Sequence, residues 1–461
     1  MSTHSIPRPD GPVGATSRSM GLKLIVVCAL AVCMAIPAMF VGGLVDERSA
    51  RAAEVVRQIS DYAGGAQVFL GPTLLIPYRI PAESKTDSAK FGTYVVSPTT
   101  ASAVIRTTTE ERHRSLFKVP VYRAEVSFDA AFDLAGVPTA APERAELDWS
   151  RAEIVVGVSN PRGALADATL TSDGKTRALA PAQAATDLPL CIAQDQNCAL
   201  RLTLLGGTAN MPIQPGARFG VTSSLSFSGA QRIAILSYGK TTHVMAQGDW
   251  PNPSFDGGFL PLHRNLTGSG FSAEWSVPFI ARGIRAEGTA DSFSTLSSTE
   301  LGTSFVEVAD PYQSVSRSRK YVLLFVGLVF LSYFVFEVTT GKRVHPAQYC
   351  LVGLAQIIFY LLLLSLAERV GFDAAFGLAG AATVGLLSFN ASWIFASRIY
   401  GVKALAVFTF LYTSIYMLLR LEDNALLVGA IASFFAIAVT MYLTRKIDWY
   451  GVVGIRRPEP N

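Results

Sequence analysis

His345-Pro-Ala-Gln-Tyr-Cys-Leu-Val-Gly-Leu-Ala-Gln-Ile-Ile-Phe-Tyr-Leu-Leu-Leu-Leu-Ser-Leu-Ala-Glu368 carries no charged side chain between positions 349 and 367. A helix rises 1.5 Å per residue, so about 20 such residues cross the roughly 30 Å hydrocarbon core of a bilayer. Lys342, Arg343 and His345 precede the run and Glu368 with Arg369 follows it. Both flanks therefore suit water or headgroups while the middle suits lipid. Further apolar runs cover residues 321–336, 372–395, 404–419 and 425–443, and another covers 22–44 near the amino end. About six transmembrane helices follow, five of them grouped in the last third of the chain.

The remaining residues read differently. Half of the 461 residues are hydrophobic and 16% are charged, below the roughly 25% usual for soluble chains. That deficit is uneven: charged residues recur from Asp46 to Lys320 and thin out beyond, which separates a soluble middle from a lipid-embedded end. The net charge of +4 is small for this length, and no dense Lys/Arg run interleaved with aromatics occurs in the middle, so nucleic acid is not an expected partner. Of the five cysteines, Cys28, Cys33 and Cys350 lie in apolar runs. Cys191 and Cys198 form the one candidate disulfide, which requires an oxidising compartment; two free thiols fit the spacing equally well.

Residues 1–21 form a polar tail with Arg8 and Arg18. The 22–44 run is read as a membrane anchor, longer than a signal-peptide core and without an evident Ala-x-Ala site before Asp46. Residues 46–62 mix Val55, Val56 and Ile59 with Glu47, Arg48, Arg51, Glu54, Arg57 and Asp61 as a stalk helix would, ended by Gly64 and Gly65. From Gly71-Pro72 onward, short apolar or alternating runs at 74–80, 121–134, 153–158 and 218–227 are separated by Gly, Pro, Asn, Asp and Ser. Strands without intervening helices predict a large all-β, sandwich-like domain inserted between the first and second membrane helices, as one sandwich or two. The expected layout is a cytoplasmic tail (1–21), helix 1 (22–44), a periplasmic stalk and β domain (45–318), a five-helix bundle (319–444) and a second cytoplasmic tail (445–461).

Orientation follows from the short loops. An inside amino terminus places Lys342, Arg343, Arg398, Lys403, Arg445, Lys446, Arg456 and Arg457 on the side of Arg8, Arg18 and Lys23, leaving Arg369 and Arg420 opposite. This is the positive-inside asymmetry, and it puts the β domain in the periplasm. Arg317, Arg319 and Lys320 oppose it, at the end of a long translocated domain where the rule has little force.

Chemistry is sparse. Glu337, Glu368, Glu422 and Asp423 are the acidic residues nearest the membrane and would mark an ion path if buried; at span ends they read as structural or interfacial. His345 before Pro346 reads as a helix cap. No P-loop, Gly-x-Ser-x-Gly, His-Glu-x-x-His, dinucleotide fingerprint or CxxC occurs. No cofactor or metal is expected. The aromatic, turn-rich segments 247–261 and 270–278 read either as recognition loops or as turns whose Trp250, Phe255 and Phe259 plug the core.

His345-Pro-Ala-Gln-Tyr349 with Leu351-Val-Gly353, Phe359-Tyr-Leu-Leu-Leu-Leu-Ser365, Glu368, Glu422-Asp-Asn-Ala-Leu-Leu427 and Thr444-Arg-Lys-Ile-Asp-Trp-Tyr450 form a specific set. Together with Trp250-Pro-Asn-Pro-Ser-Phe255, Phe259-Leu-Pro261 and Gly270-Phe271, they make the chain resemble the CreD family of inner-membrane proteins, also described as cell envelope integrity proteins. The resemblance covers nearly the whole chain and is weakest in the tail and at about 140–215. It implies a bacterial inner-membrane protein linked to envelope stress of the β-lactam and colicin type, without assigned catalysis. Trp250, Phe255, Phe259, His345, Gln348, Glu368, Glu422 and Asp423 are then expected as contact or structural positions. The leading expectation is a non-enzymatic protein whose β domain meets an envelope protein, lipid or cell-wall partner while the bundle sits in the lipid bilayer. A transporter or flippase-like protein using the bundle's charged residues is the rival, and an unfamiliar enzyme acting on wall or lipid is a third reading.

Overall fold

The computed structural model describes residues 20–82, 88–114, 117–137, 141–184, 188, 200–207, 213–305, 315 and 321–420, with isolated positions between 430 and 445. The chain divides into two compact units, one of Arg51–Val308 and one of Met1–Ala50 with Ala309–Asn461.

The first unit is built on two sheets of ten and eight strands. Their inward residues form a single buried cluster, from Phe69, Ile154 and Ile235 on one sheet to Val126, Leu225 and Trp275 on the other. One sandwich-like body with one core therefore resolves the choice between one sandwich and two. Period-two burial drives it: in the strand Arg218–Ala230, positions 221, 223, 225 and 227 are buried while 220, 222 and 224 are exposed. The central strand Gln67–Ile80 departs from this pattern, because its first ten residues are all buried. Such a strand is covered on both faces and reads as a continuous apolar run. It pairs in parallel with Arg232–Leu236 and antiparallel with Glu153–Val158 and Lys90–Val96.

Gly71-Pro72 sits inside this strand, where the register with Glu153–Val158 shifts between Leu70 and Thr73. Proline has no N–H to give a ladder, so an irregularity is where a central strand tolerates one. Gly71 is required for a second reason: a Cβ there would lie 2.5 Å from the ring of Tyr238. That ring stands edge-on to Phe128, and its hydroxyl donates to the carbonyls of Ser102 (2.8 Å) and Asp129 (3.2 Å) on the eight-stranded sheet. Tyr238 thus ties the two sheets together through the space that glycine leaves open.

In the eight-stranded sheet, the long hairpin Thr100–Arg114 and Phe117–Asp133 is central, flanked by Thr241–Gly248 and Arg218–Ala230. The strand His263–Thr267 forms one edge and Lys175–Ala178 the other.

The helices are labelled in chain order: α1 (Met20–Cys33), α2 (Ala35–Tyr62), α3 (Phe279–Arg282), α4 (Val322–Thr340), α5 (Pro346–Val370), α6 (Phe372–Ile394) and α7 (Arg398–Arg420). The single run expected over 22–44 is interrupted by a turn at Met34. Pro37 explains it: its ring removes the N–H that the Cys33 carbonyl would accept and crowds that carbonyl. Past the division between units, α2 lays Val56 and Ile59 on Val119, Val121 and Ala230. It ends at Gly64 and Gly65, both at positive φ, with the Gly65 N–H donating to the Ser60 carbonyl at 2.6 Å.

Among the described residues, five helical segments are long and apolar enough to cross a membrane: Gly21–Tyr62, Val322–Thr340, Pro346–Val370, Phe372–Ile394 and Arg398–Met417. The run expected at 425–443 lies largely outside the described residues. Two spans exceed their expected bounds. α4 continues past 336 because Glu337 is accommodated inside it, and α7 starts at Arg398 rather than 404. Leu351, Leu354 and Ile358 of α5 and Leu378, Leu386 and Phe389 of α6 are exposed, a surface that suits lipid and not water. Inward, Gly353 of α5 lets Met34 approach, since a Cβ there would meet Met34 Sδ at 2.6 Å and Phe330 at 3.0 Å.

Gly71→Ala should lower the stability of the β unit by about 1–3 kcal/mol through overpacking against Tyr238. Gly268→Ala, which meets nothing within 4 Å, should leave it unchanged. Thermal unfolding followed by intrinsic fluorescence of the detergent-solubilised protein compares the two; equal shifts would contradict the packing at Tyr238.

Candidate functional site

The charged site of the membrane unit is built around Glu337, one turn before the end of α4. Its side chain is 2% exposed and pairs with the ammonium of Lys23 from α1, which is 21% exposed. Its remaining acceptor capacity is taken up locally. The Val344 N–H donates to Oε1 at 2.9 Å and the Tyr349 hydroxyl to Oε2 at 3.1 Å. Tyr349 is held in turn between Phe330 and Tyr333. A carboxylate out of water is tolerable only when paired and hydrogen-bonded, and these three donors meet that condition. Gly341 at positive φ turns the chain after α4, which brings the Val344 amide back onto Glu337. Glu337 thus stands at a span end as expected, and of the two roles expected there it has the structural one: its buried carboxylate joins α1, α4 and α5 rather than facing headgroups.

The other expected positions disperse. His345 is exposed and caps α5, accepting from the Ala347 N–H at 3.2 Å with Pro346 at the first helical position. Gln348 is half-buried in the first turn of α5, and Glu368 is half-buried in its last turn, 31 residues of sequence beyond Glu337. Glu422, Asp423, Cys191 and Cys198 lie outside the described residues. At α6, Asp373 accepts a hydrogen bond from the Tyr416 hydroxyl of α7 at 3.0 Å.

In the β unit, Trp250, Phe255 and Phe259 pack against the core cluster. Phe255 meets Phe271 and Trp275 edge-on, Trp250 meets Phe305, and Trp275 Nε1 donates to the Phe259 carbonyl at 3.1 Å. The same segment turns other residues outward: Leu260 is 73% exposed and Leu262, just beyond it, 65%. Next to Trp250, an open cleft of about 510 Å³ is lined by Arg106, Gln247, Asp249, Asn265, Thr267 and Phe271, among others. Asp249 is already engaged there, accepting from the Thr109 N–H (2.8 Å) and hydroxyl (2.7 Å).

Two polar groups of the β unit had no motif to announce them. Arg232 bridges Asp256 (2.8 Å) and Glu300 (2.6 Å), and Ser304 donates to Asp256. Arg282 is 4% exposed, donates to Ser97 Oγ at 3.1 Å and lies over the Phe293 ring; burial pushes its guanidinium down to about 10. Among the described residues, no group of three or more His, Cys, Asp or Glu side chains is arranged to hold a metal ion.

The model of the family described as "Inner membrane protein CreD" matches residues 19–450, spanning both units and every helix described above. The chain belongs to the CreD family. A curated relative, inner membrane protein CreD of Escherichia coli (strain K12), is 27% identical over 445 residues, covering 90% of each chain. The CreD match thus includes α1 with Lys23, α4 with Glu337 and the outward-turned Leu260 segment, so membrane unit and β body fall within one family pattern.

Lys23→Met should destabilise the membrane unit by on the order of 3 kcal/mol, because it leaves a buried carboxylate without its cation. Adding Glu337→Gln should recover most of that loss, since the amide oxygen can take the place of Oε1 and accept from the Val344 N–H while the NH₂ donates to the Tyr349 hydroxyl. A double-mutant cycle on thermal unfolding in lipid nanodiscs reads the coupling; additive effects would mean that the pair is not formed.

Proposed function

We propose that the protein is a non-enzymatic inner-membrane protein that supports cell envelope integrity and the response to envelope stress, with both termini cytoplasmic and the β body in the periplasm presenting a partner-contact surface. The observation that carries this reading is the edge of the eight-stranded sheet beside the 247–261 segment. Its last strand, His263–Thr267, is exposed at all five residues, and Leu260, Leu262 and Leu266 add exposed apolar side chains next to it. An edge strand offers unpaired backbone groups to another chain, and natural edges are usually blunted by charge or cover. Arg264 and His263 are the charged or titratable groups of this strand, and three leucines in the same stretch favour contact over repulsion.

The rival, transport along charged groups of the bundle, draws less support. Glu337, the buried acid described above, already has three donors, one of them a cation, an arrangement that suits a clamp between helices better than a group that exchanges its partner. Membership of the CreD family supports the inner-membrane location; the periplasmic side of the β body rests on the loop-charge asymmetry.

A photo-crosslinking residue placed at Leu260 or Leu262 in cells should yield adducts with an envelope protein, lipid or wall fragment, whereas one at the inward-facing Phe255 should yield none. Adducts at Phe255 alone, or none at the two leucines, would count against a contact surface there. A reporter enzyme active only in the periplasm should be active when fused at Ser150; activity confined to a cytoplasmic reporter would overturn the orientation.

A further inference from the structure

Four buried hydrogen-bonding atoms of the membrane unit have no partner among the described residues: Nε2 and Oε1 of Gln356, and the hydroxyls of Tyr360 and Tyr412. Gln356 is 0% exposed. Gln356 and Tyr360 stand one turn apart on α5 and so share a face. Tyr360 and Tyr412 both pack edge-on against Phe359, with ring centroids 5.1 Å away in each case. Tyr412 of α7 also lies against α6, where a Cβ on Gly380 would meet its ring at 3.5 Å.

Other buried polar side chains of the same unit show what the bundle ordinarily does with such groups. The Tyr333 hydroxyl donates to the Leu387 carbonyl at 2.7 Å, Thr383 to Ala379 at 2.9 Å, and Tyr349 to Glu337. Inside hydrocarbon an unmet amide or hydroxyl is costly, since no solvent stands ready to replace the missing partner. Four such atoms, on neighbouring turns of α5 and on the α7 ring that shares Phe359 with Tyr360, therefore point to an occupant. It must donate and accept, because Gln356 presents both an NH₂ and a carbonyl and each phenol can do either. It is uncharged, because these three side chains bring no charge to balance. It is small, because the surrounding rings of Phe325, Phe359 and Tyr412 are already in contact.

We infer that the junction of α5, α6 and α7 is an internal hydration site, in which Gln356, Tyr360 and Tyr412 bind water within the membrane bundle. A buried water characteristically makes two to four hydrogen bonds to groups otherwise left unsatisfied, which these three side chains supply. The site lies two turns along α5 from Tyr349, on the same helix face, and is separate from the Glu337 clamp. It goes beyond the proposed envelope role and does not depend on it.

Radiolytic hydroxyl labelling of the full chain in lipid nanodiscs tests this, because radicals form from bound water where it sits. Tyr360 and Tyr412 should be oxidised several-fold faster than Tyr333, a tyrosine equally buried but bonded to protein, and should take up ¹⁸O from labelled water. Protection of both at the level of Tyr333 would overturn the site. Gln356→Met, close in volume and without the amide, should bring Tyr360 and Tyr412 down towards Tyr333; undiminished labelling in a folded variant would remove Gln356 from the site. If that variant fails to fold, the comparison among the three tyrosines of the natural protein still decides.

Discussion

Hydrocarbon offers no hydrogen bonds, and the membrane unit is organised by that fact. Each polar side chain carried into the bundle needs a partner, brought by another helix, by its own backbone or, as inferred for Gln356, Tyr360 and Tyr412, by an internal water. Glu337 shows the strongest form of the constraint. Its cation comes from Lys23, 314 residues away in sequence, so α1 is bound to the C-terminal helices by charge as well as by the fit of Met34 over Gly353. A buried pair of this kind adds little net stability compared with an apolar replacement. What it does impose is register: α1 can slide or rotate against α4 only by exposing a carboxylate to lipid.

The β unit meets the same demand by different means. Its backbone groups are paired in ladders, and its core is closed by aromatic side chains whose polar ends reach across the sandwich. Tyr238 donates to two carbonyls of the opposite sheet, and Tyr122 to the Arg232 carbonyl at 2.8 Å. Both rings occupy space that glycines leave free, Gly71 under Tyr238 and Gly229 under Tyr122. Gly229 is the cross-strand neighbour of Tyr122 in its own sheet, so the glycine makes room for the ring while the hydroxyl reaches the other sheet, and neither partner can change size alone. The aromatic segment around Trp250 belongs to this scheme. Its rings complete the core, and it is the aliphatic residues between and beyond them that face out.

Much of this was legible in the chain, and the reasons are local. Spans declare themselves by runs of apolar residues, and strands such as Glu153–Val158 by β-branched runs between turn residues, since both signals are carried by neighbours in sequence. The end of α2 at Gly64 and Gly65 was legible for the same reason. The pairing of Lys23 with Glu337 was not, because nothing within a window of neighbours distinguishes a span-end glutamate in headgroups from one turned inward. One signal did exist: a lysine one residue inside an apolar run and a glutamate at the end of another are complementary charges at membrane depth. Gln356 gave less still, as a single amide in an apolar helix is compatible with any face until the neighbouring helices are placed.

The packing also bears on orientation. Lys23 is near the start of α1 and Glu337 near the end of α4, so within the membrane unit these two helix ends lie together. Lys342, just after α4, donates to the carbonyl of Phe395 at the end of α6, which adds the α6–α7 turn to the same end. Asp373, at the start of α6, meets Tyr416 towards the end of α7, and this contact belongs to the opposite end, where α5 also finishes. Ends that meet inside the bundle must share a side of the bilayer. The basic residues Lys342, Arg343, Arg398 and Lys403 thereby cluster with the start of α1, and Arg369 stands at the far end. Lys23 is spent on Glu337 and drops out of the loop-charge count, yet the asymmetry persists without it. The asymmetry that remains is carried by basic residues at the helix ends and turns, where a positive charge has its influence on orientation.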